Sequence, residues 1–414
     1  MPHYDVRLHE VFTGQVAYDE MQDRSSFRFS EDYRRLARRP VLGQNFEDDL
    51  HKTYRGKRGA LPPFFANLVP EGALRDLLLR SLQLDADADL PILAAVGRDL
   101  PGAVEVLPAG ADAGLFGDRE EKDANGNGGE KEDPGSSADL ALRFSLPGVQ
   151  MKFSVLRESE TVTLPVHGQL GDWIVKLESR RFPQLVENEY ATMEWARASG
   201  LQVPECQIVP PELLPPVLRQ FAPEGTSVFM IRRYDREGQR RIHQEDFAQL
   251  VGLPPSLKYD QITYDGCALL VRQIVGPDAY LEFVRRLAFM VASGNVDAHL
   301  KNWSLVYPDD VHAELSPLYD QVATVAWPDE ITLKWALKFA GTKDPYQIDL
   351  PAFTRLAAKA GADPRETLHV VEQTLAGAAT AWATSAAEVM PAEHTARLRE
   401  YWNRVPLLKP HLGT

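Results

Sequence analysis

Asp297 precedes Asn302 by five positions in the stretch Ser293-Gly294-Asn295-Val296-Asp297-Ala298-His299-Leu300-Lys301-Asn302-Trp303, with small residues in front and an apolar, strand-like run, Trp303 to Tyr307, behind. A carboxylate and a carboxamide at that spacing suit phosphoryl transfer. The carboxylate orients or deprotonates an attacking hydroxyl, and the carboxamide oxygen ligates a metal held on nucleotide phosphates. Asp320, ending Leu315-Ser316-Pro317-Leu318-Tyr319-Asp320, offers a second carboxylate for the other side of Mg²⁺. Asp and Asn also recur in loops where they bond only their own backbone, so the spacing gains meaning only if the preceding chain supplies the rest of a nucleotide site in order.

The preceding chain offers such parts. Phe144-Ser145-Leu146-Pro147-Gly148-Val149-Gln150-Met151-Lys152-Phe153 reads as a turn opening into a strand. Its lone glycine fits neither the Walker pattern nor the three-glycine loop of protein kinases, and a plain hairpin accounts for it as well. In the next strand, Trp173-Ile174-Val175-Lys176-Leu177, Lys176 interrupts an apolar run. Such a lysine either snorkels at a strand end or is held inward for a phosphate and a carboxylate partner. Glu189 is an available partner, near the apolar face that Leu185, Met193 and Ala196 mark on a strong helical pattern. Val228 to Arg236 then runs as a buried strand into a polar turn, placed like a hinge beside an adenine, with Asp235 set either to reach a ribose hydroxyl or to cap the next segment. His299 can touch phosphate or substrate, or serve as a structural hydrogen-bonder. His243 and Glu245 suggest a metal pair, but the adjacent Gln244, Asp246 and helix start favour a capping cluster.

These parts need elements to carry them. Residues 4 to 30 alternate apolar and polar positions around Thr13-Gly14-Gln15, the pattern of a small antiparallel sheet. Leu61-Pro62-Pro63-Phe64-Phe65-Ala66-Asn67-Leu68-Val69-Pro70-Glu71-Gly72 leads into a leucine-rich helix and reads as core and domain docking, and Leu90 to Leu107 as a further helix and strand. Between 109 and 138 the chain turns rich in Gly, Ser and acid, the composition of a flexible linker that sets an N-terminal module apart from the chemistry. The remainder is helical in pattern: Gln244 to Val251, Asp278 to Ser293, Pro351 to Ala360, Asp363 to Ala386 and Ala392 to Val405. The expected organisation is an N-terminal unit over 1–108, a linker over 109–139, a sheet-rich lobe over 140–236 and a helical lobe over 237–414.

Composition bounds the function classes. The 414 residues can bury more than one core, and the formal charge of −14 argues against the whole chain as an avid binder of nucleic acid. Arg34, Arg35, Arg38 and Arg39, followed by Lys52, Arg55, Lys57 and Arg58, form a local basic run that a solvated face explains. Cys206 and Cys267 are far apart and outside any ligand cluster, so both read as buried apolar-like residues. With neither a long apolar run nor a signal-like N-terminus, the expected compartment is the cytoplasm, away from membranes.

Several segments together resemble the HipA-type serine/threonine kinases, the toxin half of bacterial toxin-antitoxin pairs. They are Ser145 to Lys152, His243-Gln244-Glu245-Asp246-Phe247-Ala248-Gln249, Gly252-Leu253-Pro254-Pro255-Ser256-Leu257-Lys258-Tyr259, Gly294 to Asn302 and Ser316 to Asp320, with Phe64 to Gly72 resembling the family's N-terminal subdomain. The resemblance spans nearly the whole chain. It implies an α+β, bilobal protein-kinase-like fold with an N-terminal α+β subdomain, Mg²⁺ and ATP as cofactors, and phosphorylation of a protein such as an aminoacyl-tRNA synthetase, arresting translation. It further implies an antitoxin partner with its own helix-turn-helix, so that DNA is met only through that partner. Carried onto these residues, Asp297 is the base, Lys176 contacts the α and β phosphates with Glu189 as its partner, and Asn302 with Asp320 holds Mg²⁺. Ser145, Gly148, Val149, Gln150, Lys152, Arg233, Tyr234, Asp235, His299 and Lys301 line the nucleotide. Ser145 matches the family's autophosphorylated serine, where an added phosphate would repel those of ATP and drive the loop out. The segment 109–138 looks like an insertion, and Arg232 stands in the hinge where family members can carry an acid. The same spacing also suits a kinase acting on a small-molecule hydroxyl, or a nucleotide-binding pseudokinase with a regulatory role.

Overall fold

Alternation at Val6, Leu8, Val16, Phe27 and Phe29 turns one face of each early strand inward, and all five side chains are buried. Strands β1 (His3–Leu8), β2 (Val11–Asp19), β3 (Arg24–Phe29), β4 (Tyr54–Arg55) and β5 (Val104–Pro108) form an antiparallel sheet in the order β4-β3-β2-β1-β5. Helices α1 (Gly72–Ser81) and α2 (Asp89–Val96) lie between β4 and β5 in the chain. The computed structural model describes residues 2–85, 89–110, 151–158, 161–165 and 169–413. The expected linker from 111 onward, and Ser145, Gly148, Val149 and Gln150 of the proposed phosphate loop, lie outside the described residues.

The second sheet carries the lysines. Its strands β6 (Lys152–Glu158), β7 (Thr161–Thr163), β8 (Trp173–Leu177), β9 (Cys206–Val209) and β10 (Val228–Arg232) are ordered β7-β6-β8-β10-β9, every neighbouring pair antiparallel. Helix α3 (Leu185–Ala198) packs on β9 and β10 through Val186 and Met193 against Cys206, Phe229 and Ile231. The apolar faces of the two sheets share one core, in which Val6, Phe65 and Val106 meet Phe153, Val175 and Met230. The two sheets are thus far apart in sequence while packing joins them.

Beyond β10 the chain is mostly helical. The structure corrects the helix expected over 244–251. His243–Asp246 is strand β11, paired in register with β12 (Ser304–Tyr307), and only Phe247–Leu250 turns into helix α4. Asp246 makes the change: its side chain accepts from Gln249 N–H while the Gln249 side chain bonds back to Asp246 N–H, a capping box. Helices α5 (Tyr264–Ile274), α6 (Pro277–Ser293), α7 (Leu350–Ala360), α8 (Pro364–Ala381) and α9 (Ala392–Arg404) build a core in which Trp195 of α3 meets Phe289 and Trp402 edge-on and Trp382 at a tilt. Helix α6 stops at Gly294, whose φ of +66° and close approach to Val325 leave no room for a Cβ, and the chain turns there into the Asp297 loop.

Candidate active site

The register of β6 and β8 sets Lys152 directly opposite Lys176. Two like charges so placed repel. Both point at Asp320, which follows Tyr319 with a left-handed φ of +52°. Lys152 Nζ donates to Asp320 Oδ2 at 3.0 Å, and Lys176 Nζ to the other Asp320 oxygen and to Glu189 of α3. Burial alone would push Lys176 down, but the Asp320 and Glu189 carboxylates override it and raise its pKa. Lys152, with less compensation, is lowered by burial. Burial would likewise raise Asp320, yet the two ammoniums hold it well below the usual carboxylate range. Glu189 is raised by burial, against the pull of Lys176, and its Oε2 has no hydrogen-bond partner.

Asp297 stands across the same cleft, its Oδ1 accepting from Tyr259 O–H at 3.0 Å. Its side chain reaches solvent, but the surrounding protein raises its carboxyl, while the Tyr259 hydroxyl and Lys258 draw it back down. Asn302 Nδ2 donates to the Asp297 carbonyl at 3.3 Å, which leaves the amide oxygen available. His299 is pushed down to about 3 by burial and by Lys258 and Lys301, so it is neutral near pH 7, and its Nδ1 is buried without a partner. The cleft measures about 930 Å³ and is lined by Lys152, Lys176, Glu189, Tyr234, Asp297, His299, Asn302 and Asp320, so these residues share one cavity of the size small-ligand sites occupy.

The hinge differs from expectation. Asp235, 4% exposed, neither caps a helix nor presents a free carboxylate. Arg233 Nε and Nη2, Arg236 Nη1 and Gly102 N–H all donate to it at 2.8–2.9 Å, and Asp99 takes further bonds from both arginines. Burial would raise Asp235, but the two guanidiniums hold it low. Arg233 and Asp235 are thus a buried ionic anchor behind the cleft, although their atoms still line it. Tyr234 donates to Gln244 and lies 5.6 Å from the Tyr319 ring. Lys301 is likewise spent, on Asp246 Oδ2 at 3.0 Å and on Asn67. His243 and Glu245 form no metal pair: His243 bonds the Leu42 carbonyl and Glu245 the Gln44 N–H and the Tyr307 hydroxyl.

Sequence reasoning missed the N-terminal contribution. Asn67, Leu68, Glu71 and Pro101 also line the cleft, although that segment reads as docking surface; nothing in the local pattern of 61–72 separates a core turn from a site wall. It missed Tyr259 as well, because a tyrosine in a proline-rich turn carries no spacing that ties it to a carboxylate 38 positions on.

Among the described residues no three His, Cys, Asp or Glu side chains gather as a metal site. Asn302 and Asp320 would supply oxygens to a cation whose remaining ligands came from phosphate. The orphaned Glu189 oxygen and the ammonium pair on Asp320 mark a polar cluster whose hydrogen bonding is incomplete on its own, and in this sense the residues fit Mg²⁺-ATP.

The family model described as the HipA-like C-terminal domain matches residues 144–382, and the HipA N-terminal domain matches 4–107. The chain belongs to the HipA family. A Sinorhizobium fredii relative named as a kinase, Y4dM, is 35% identical over 391 residues, covering 91% of this chain and 90% of the relative. The serine/threonine-protein kinase toxin HipA of Shewanella oneidensis is 23% identical over 349 residues, 78% of this chain and 76% of the relative. The solved complex of Shewanella oneidensis MR-1 HipA with HipB and operator DNA superposes with a TM-score of 0.73 at 20% identity, over 97% of this chain and 95% of that one. At that identity the likeness establishes the fold: α+β, bilobal and protein-kinase-like, with the N-terminal α+β unit that this HipA-family chain builds from β1 to β5.

Proposed function

We propose that this HipA-family chain is a Mg²⁺- and ATP-dependent serine/threonine protein kinase, the toxin of a toxin-antitoxin pair. The observation that carries the reading is the buried Lys176 between Glu189 and Asp320 in one cleft with Asp297 and Asn302. Bound ATP with Mg²⁺ supplies the phosphoryl group and the counter-charge for its transfer. Lys176, braced by Glu189, presents its ammonium to phosphate oxygens, with Lys152 beside it. Asn302 and Asp320 offer oxygens to the cation, and Asp297 orients the acceptor hydroxyl and takes its proton. Its carboxyl is raised by the surrounding protein, the direction that strengthens a base.

The acceptor in this reading is a protein of translation such as an aminoacyl-tRNA synthetase, and the compartment is the cytoplasm. The Shewanella HipA in its complex with HipB and operator DNA supports an antitoxin as partner; in this reading that antitoxin carries the helix-turn-helix and DNA is met through it. Ser145 is the proposed site of self-phosphorylation, which would expel the phosphate loop and limit the toxin's activity. Purified protein with Mg²⁺ and labelled ATP should label Ser or Thr in itself or in a lysate protein. Asp297→Asn, folded as the wild type, should label about 10²-fold or more slowly. Equal labelling by the two would remove Asp297 from the base role. In the same samples mass spectrometry should find phosphate on Ser145 of the wild type alone.

A further inference from the structure

The catalytic loop is held from a third side, by the N-terminal unit. Asn67, 1% exposed, accepts from Lys301 Nζ at its carbonyl (2.7 Å) and its Oδ1 (3.1 Å), and its own Nδ2 donates to the carbonyls of Pro63 (2.9 Å) and Leu253 (2.8 Å). Four positions on, Glu71 Oε2 accepts from Lys258 Nζ at 2.8 Å, and its Oε1, buried without a hydrogen-bond partner, lies 3.8 Å from Lys301 Nζ. Lys258 and Lys301 are both buried. An ammonium taken out of water is tolerated only when a carboxylate compensates it, so where Glu71 sits decides where Lys258 sits.

Lys258 is tied to the loop twice over. Its carbonyl accepts from Leu300 N–H at 3.2 Å, and the next residue, Tyr259, donates its hydroxyl to Asp297 while standing edge-on to the His299 ring at 5.1 Å. A path of direct contacts therefore runs from Glu71 through Lys258 and Tyr259 to the Asp297 carboxylate. Asn67 and Glu71 also face the cleft itself.

We propose that Glu71 is a positioning residue for the transfer reaction: by fixing Lys258 it fixes Tyr259, whose hydroxyl aims the Asp297 carboxylate, so that the N-terminal unit builds part of the active site. This rests on the phosphotransfer reading above. Glu71 touches neither Lys176, Glu189 nor Asp320, so its loss should spare the nucleotide end of the cleft. A base displaced by about 1 Å is enough to slow transfer by about 10²-fold.

The test uses the full chain as wild type, Glu71→Ala and Glu71→Gln, the last keeping the side chain's bulk and an acceptor for Lys258 should the alanine variant fold poorly. Transfer rates are measured against ATP concentration, and hydrogen-deuterium exchange is followed without nucleotide. Glu71→Ala should lower kcat 10- to about 100-fold and leave KM for ATP unchanged, with Glu71→Gln in between. Amides of 297–302 should exchange faster, and those of β8 and α3 as in the wild type. An unchanged kcat in both variants overturns the proposal. So does a joint change of kcat, KM and exchange throughout the chain, which would make Glu71 a general stability residue. If the wild type transfers no phosphoryl group to any acceptor, the kinase reading fails instead. Exchange at 297–302 then still decides whether Glu71 orders the loop, faster exchange upholding the clamp and unchanged exchange refuting it.

Discussion

Tyr259 tunes the side chain it touches. Its hydroxyl lowers the Asp297 carboxyl against the rise that the surrounding protein imposes. Tyr259→Phe removes that lowering and nothing else the ring does, so the Asp297 pKa should rise. A general base works only when deprotonated, so activity falls as pH drops through this pKa, and the acidic limb of kcat/KM should move to higher pH in the variant. Profiles that superimpose would mean that the hydroxyl does not bear on the base. The Lys176–Glu189 pair was legible in the sequence because a lysine that interrupts an apolar run must be compensated, and the spacing of Asp297 and Asn302 put them in one loop that lines the same cleft. Tyr259, Glu71 and Asn67 were not. Lys258 and Glu71 lie 187 residues apart, and no local periodicity encodes a contact of that span. The bonds of Asp235 to Arg233 and Arg236 were not legible either, because a buried Asp beside two arginines has the same one-dimensional pattern as a ribose ligand.

At the scale of elements, the register of β6 and β8 makes unequal partners of two lysines that look alike in the chain. Lys176 compensates both Glu189 and Asp320, whereas Lys152 shares only Asp320. Lys176→Met leaves the buried Glu189 without a cation and should cost about 3–5 kcal/mol of stability. Lys152→Met relieves the cross-strand repulsion while Asp320 keeps Lys176, so its cost should be far smaller. Urea denaturation of the two variants checks the order, and equal losses would mean that Glu189 is not held by Lys176. The long helices were readable because their apolar faces recur over many turns, and the bounds of α6 and α7 fall within a residue of expectation. Strand β11 was not, since His-Gln-Glu-Asp has no apolar alternation. Its inward side chains are a histidine and a glutamate, buried against the N-terminal unit.

That junction bears on the whole molecule. The N-terminal unit shares its core with the β6–β10 sheet, anchors the hinge through Asp99 and Gly102, holds the Asp297 loop through Asn67 and Glu71, and meets β11 through Leu42 and Gln44. Sequence reading set this unit apart because an acid-rich stretch comes after it, and composition reports what a stretch cannot bury, not what its flanks pack against. The β11 contact should make the union of unit and lobe depend on pH. Glu245 is fully buried, accepts from Gln44 N–H and the Tyr307 hydroxyl, and is raised by burial to about 7. With an unfolded value near 4.5, the folded chain binds more protons between the two values, so folding stability falls as pH rises from about 4.5 to about 7. Buried His243, lowered to about 4, works the other way: the unfolded chain binds the extra proton, and stability rises until pH passes about 6.5. A difference measurement isolates the glutamate. Glu245→Gln keeps an acceptor for both donors and has no charge to bury. Relative to the wild type it should gain stability from pH 5 upward and level off above about pH 7, on the order of 3 kcal/mol in all, because a shift of one pKa unit corresponds to about 1.4 kcal/mol. The readout is the urea midpoint of each protein across that range. A gap that does not widen with pH would mean that Glu245 stays ionised in the fold, with its charge stabilised by the two donors alone.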